Sequence, residues 1–98
     1  MLEPAKIDKI VGEVATVHLK RRNFERVTSK ATVDSEGEEA VRITIVLKPG
    51  ALDRLKGDPV FDTLVEIHHR LRAAGEERFP LVEYATQAEL DEDASPES

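Results

Sequence analysis

The stretch EPAKIDKIVGEVATVHLKRR, residues 3–22, admits two readings, and the choice between them decides the fold. Ile7, Ile10, Val11, Val14 and Val17 recur at intervals of three and four, the period of a helix with one apolar face. Pro4 stands where a first helical turn tolerates a missing N–H. Against this, Ala15, Val17 and Leu19 alternate with Thr16, His18 and Lys20, so residues 14–20 also suit a strand, and Gly12 and the valines lower helix propensity. One helical pattern accounts for the whole segment, and the helix is the reading adopted.

Working outward, EAVRITIVLK (39–48) is the clearest strand in the chain, with Val41, Ile43, Ile45 and Leu47 on one face and Arg42, Thr44 and Lys48 on the other. FERVTSKATV (24–33) reads as its partner. DSEGEE between them supplies turn residues, with Gly37 free to take a positive φ, and predicts a hairpin. Lys48-Pro49-Gly50 ends the second strand. A short helix at ALDRL follows and stops at Gly57; Asp58-Pro59 then predicts a capped helix running to about Ala74, with Gly75 as its stop. FPLVEYA (79–85) is a third strand. Thr86 and Glu89 have capping-box spacing and start a last short helix, and residues 91–98 read as an acidic, disordered tail.

This order, αββααβ followed by a short helix, makes one α+β domain over residues 1–90. Three strands with one apolar face need cover, and two long helices on that face give a two-layer sandwich.

Composition narrows the function. The 98 residues are 40% hydrophobic and 35% charged, as in a globular domain, and contain no cysteine, so disulfides, thiol nucleophiles and Cys-based zinc sites are excluded. No apolar run approaches a membrane span and the first residues do not resemble a signal peptide, so a cytoplasmic location with no membrane is expected. The net charge of −6 weighs against a dedicated nucleic-acid binder. The charge is uneven, however. Lys20, Arg21, Arg22, Arg26 and Lys30 form a basic waist, whereas residues 76–98 hold eight acids against Arg78. The waist is a candidate anionic docking patch, over which the acidic tail could fold; as structure alone, Lys20, Arg21 and Arg22 would complement the dipole at a helix end.

No nucleophile motif surrounds any serine, and the five glycines are isolated, so no phosphate loop and no cofactor site is expected. Acid pairs such as Glu76-Glu77 read as solvated loop charge. His68 and His69 are adjacent, but helical geometry turns them about 100° apart. His68 falls in an arc with Val60, Phe61, Leu64 and Leu71, and His69 with Asp62 and Glu66 on the polar side. A packed imidazole and a solvated surface are the expected roles. The remote metal alternatives are a His18–His68 pair between the two helices and the Glu66/His69 spacing.

The third strand is apolar on both sides, with Leu81 and Ala85 on one and Val82 and Tyr84 on the other. Val46, Val82 and Tyr84 are therefore a candidate surface for a protein partner or a homodimer.

The element order resembles that of the class II KH domain and of the BolA-like proteins. That resemblance implies single-stranded nucleic-acid binding through a G-x-x-G loop between the two helices; here the loop is LKGDPV, with Gly57 alone and an acid beside it. The leading expectation is a small acidic interaction or adaptor module without a catalytic centre. A degenerate KH-like nucleic-acid binder comes second, and a metal-dependent enzyme is a distant third.

Overall fold

The computed structural model describes residues 1–55 and 57–94. Its elements are α1 (Pro4–Leu19), a 3-10 turn (Arg21–Asn23), β1 (Phe24–Val33), β2 (Glu39–Leu47), α2 (Ala51–Arg54), α3 (Asp58–Ala73), β3 (Phe79–Thr86) and α4 (Gln87–Ala94). The fold is α+β, in the order the sequence predicts.

Residues 4–19 are helical, with Pro4 in the first turn. Ile7, Ile10, Val11 and Val14 are buried with Ala15 and Leu19, as a 3.6-residue period requires. Val17 departs from the pattern and is 62% exposed. The helix stops at Lys20, whose φ of 74° is a left-handed value rare outside glycine. Lys20 Nζ reaches back to the Val17 carbonyl at 3.3 Å, while Arg21 and Arg22 have already left the helix for the 3-10 turn. Only the first of these three cations thus meets the helix end.

The sheet order is β1-β2-β3, with β1 and β2 antiparallel and β2 and β3 parallel. Asp34 Oδ1 accepts from the Glu36 and Glu38 amides and ties the hairpin turn, in which Gly37 has a φ of 83°. A bulge between Phe24 and Arg26 shifts the register so that Phe24 faces Leu47 and Arg26 faces Val46. Val41, Ile43, Ile45 and Leu47 pack under α1 and α3, together with Ile67 and Leu71 of α3, to form the core.

The face that α3 buries differs from the predicted arc. Thr63, Ile67 and Leu71 are its buried residues, while Phe61 is 63% exposed. Asp58 belongs to the helix and supplies no side-chain cap; Gly57 precedes it with a φ of 74°. At the other end the stop falls where predicted. Gly75, with a φ of 99°, donates to the Arg72 carbonyl and Glu76 donates to the Leu71 carbonyl, the paired bonds of a Schellman turn.

The expected capping box forms at α4. Thr86 N donates to Glu89 Oε1 at 2.8 Å, and Glu89 N donates to Thr86 Oγ1 at 3.2 Å. The helix it starts reaches Ala94, so residues 91–94 of the predicted disordered tail are helical, and 95–98 lie outside the described residues. Among the described residues, no helix is long and apolar enough to cross a membrane.

Candidate functional site

The structure disperses the residues grouped by sequence. In the basic waist, Arg21 is committed to the Phe24 and Glu25 carbonyls and lies over the Phe24 ring, 4.8 Å from its centroid. Arg26 and Lys30 point from β1 to the sheet face away from α1 and α3, because they share register with Val46 and Arg42. Arg26 donates to Gln87 of α4 at 2.6 Å, and Gln87 in turn donates to Asp91, so one thread of the acidic end does meet the waist.

A buried polar hub stands where the first helix, the hairpin and α2 meet. Asn23 is buried and accepts on Oδ1 from Arg54 at 3.0 Å, donates through Nδ2 to the Leu19 carbonyl, and accepts on its own carbonyl from Lys48 N. Its amide donates to the Lys20 carbonyl. Arg54 thus brings its guanidinium to this buried asparagine, whereas Lys20 and Lys48 meet it through their backbones. Lys48 and Arg54 were missed in the sequence; the hairpin register, which sets residue 48 against 23, is the signal that could have found Lys48.

The metal alternatives do not assemble. His18 Nε2 contacts the Glu66 carboxylate, and Arg70 lies 3.9 Å from the other oxygen of Glu66 while donating to Glu13. The carboxylate expected beside His69 is thus taken up by α1. His68 instead packs edge-on to Phe79, with centroids 5.3 Å apart. Burial lowers its pKa, and the neighbouring His69 and Arg72 lower it further. Among the described residues, no three metal-type side chains cluster.

Val46, Val82 and Tyr84 do not form one surface, which corrects the predicted partner site. Val82 and Tyr84 sit opposite Ile43 and Ile45 and pack against the core under the helices. The Tyr84 hydroxyl donates to the Val60 carbonyl of α3 at 3.0 Å, and burial pushes its pKa up to about 12. Val46 is on the other face and is fully buried, with its register partner Arg26 bonded to Gln87 beside it. Alternation alone showed that β3 has two apolar faces but not which of them turns inward.

Exposed apolar side chains lie elsewhere, Val17, Val33 and Leu52 on other parts of the fold and three near α3 and β3. Phe61 and Val65, one turn apart on α3, are 63% and 37% exposed, and Phe79 at the start of β3 is 53% exposed. The Val60–Tyr84 and His68–Phe79 contacts show that α3 runs antiparallel to β3 along this flank. Among the described residues β3 is an edge strand, paired through β2 alone. The opposite edge, β1, carries Arg26 and Lys30, charges that discourage pairing with another strand. β3 has no basic residue and only Glu83, whose carboxylate is held by Thr44 and Arg42.

No family model, curated protein or solved structure matches the chain. What the site can do therefore rests on its geometry.

Proposed function

We propose that the protein is an interaction module that works as a self-associating pair, docking a second copy along β3 and the outer side of α3. The observation that carries this reading is the coincidence of an unprotected sheet edge with the exposed Phe61 and Val65 above it. A two-fold axis perpendicular to the sheet would pair β3 with its antiparallel copy. It would also set the two α3 helices side by side and antiparallel on one face, bringing Phe61 and Val65 of each against those of the other. Such a contact is self-complementary, the form that closes into a dimer rather than a fibre. Pro80 is compatible with it, since an edge strand tolerates one missing donor.

Amide exchange over a dilution series tests the placement. Protection of β3 amides should rise with protein concentration while that of β1 does not; concentration-independent exchange along β3 would remove the proposal.

A second reading is favoured by Arg54, bonded to Asn23 at the end of α2, with Lys20 and Lys48 joined to the same residue through their backbones. On it the chain is a KH-like module that holds single-stranded nucleic acid by its phosphates. Its affinity should then fall steeply with salt and weaken on Lys48→Ala and Arg54→Ala. Salt-independent retention, or none, would eliminate this reading.

A further inference from the structure

Between the end of α3 and the start of β3 lies a cleft of about 250 Å³ lined by His68, His69, Arg72, Glu76, Arg78 and Pro80 among others. We infer that this cleft binds a small doubly charged oxyanion of the phosphate and sulfate class. The site lies apart from the Arg54–Asn23 contact and does not depend on self-association.

Charge balance carries the argument. Glu76, the one carboxylate in the wall, is fully buried and saturated: it accepts from the Leu2 amide at 2.8 Å and from Arg78 N, Nε and Nη2 at 2.9, 2.8 and 3.0 Å. Arg78 neutralises it. The remaining polar wall consists of donors without a carboxylate to meet them: Arg72, which has no ion pair among the described residues, and the two imidazoles. A helix C-terminus favours cations, which accounts for Arg72 as an isolated charge. It does not account for the open space between Arg72 and Arg78, whose guanidinium is tied to Glu76.

Burial is the main cause of the depressed pKa of His68, and the electrostatic influence of His69 and Arg72 adds to it, in agreement with this surplus. Glu39 of β2 also acts on Arg78 without lining the cleft, and β3 contributes Pro80 and Phe79. An anion in the cleft would offset the repulsion and let His68 take up a proton. Sulfate, whose own charge is constant, should therefore bind more tightly at about pH 5 than at about pH 8.

The test is a titration of the full chain with sodium sulfate, followed by the histidine ring resonances, with sodium chloride at matched ionic strength as the control. Saturable shifts of His68 and His69 with sulfate alone, and an affinity about tenfold weaker in Arg72→Gln, are expected. Arg72 and His69 are exposed, so Arg72→Gln and His69→Gln should fold as the parent does. Repeating the titration on Phe61→Asp separates the site from any association of copies. Inorganic phosphate and methyl phosphate, run in parallel, distinguish a free ion from a phosphorylated group as the source of the same chemistry. Equal response to chloride, or undiminished binding in Arg72→Gln, would overturn the assignment.

Discussion

His18 Nε2 on α1 lies 2.5 Å from the Glu66 carboxylate on α3, a pairing that joins residues 48 positions apart. It is one link of a chain across the helix seam, Glu13–Arg70–Glu66–His18. All four side chains are partly exposed, so solvent screens them. Each of His18→Ala and Glu66→Ala should cost roughly 0.5–1 kcal/mol of stability, and the double variant less than the sum of the two. Chemical denaturation of the four proteins in that cycle measures the coupling; strict additivity would mean the pair contributes nothing.

Acid should unfold the protein through Glu76. Hydrogen bonds from the Arg78 side chain are the largest cause holding its carboxyl at about 2, against burial, with further help from the Leu2 and Arg78 amides. A carboxyl whose pKa is depressed on folding adds stability above its unfolded value of about 4.5 and loses it as the pH falls toward 2. The shift corresponds to roughly 3 kcal/mol. Glu76→Gln should lower stability by a comparable amount at neutral pH and flatten its decline between about pH 5 and 2. An unchanged acid profile in that variant would place the titration elsewhere.

Tyr84 is the only tyrosine and there is no tryptophan, so its ionisation can be followed directly by phenolate absorbance. Burial raises its pKa to about 12. The sign is that of an acid kept neutral by folding: stability is intact below the ordinary tyrosine value of about 10 and falls as the pH rises toward 12. A phenolate midpoint near 10 in the folded protein would show that β3 is not packed beneath α3.

How much of this was legible in the sequence depended on the range of the contact. The helix in residues 4–19 was readable because Ile7, Ile10, Val11 and Val14 face one way whatever they pack on. The capping box at Thr86 and Glu89 and the stop at Gly75 were equally local. Phe61 was misassigned because hydrophobicity alone put it in the core arc, whereas the sheet lies under Thr63, Ile67 and Leu71. Glu76 read as a solvated loop acid because its partners include Leu2, across the whole chain, and only the Schellman turn aims it inward. The His18–Glu66 pair and the Asn23 hub likewise arise where segments distant in sequence meet, and no spacing rule reports that.

The self-associating edge is tested most directly by mass in solution. Light scattering on the eluting protein at micromolar concentration should give twice the 10.9 kDa chain for the parent. The same measurement should give the single-chain mass for Phe61→Asp, an exposed position where the change should cost the fold no more than about 0.5 kcal/mol. A parent that elutes at the single-chain mass over the whole concentration range would contradict the account.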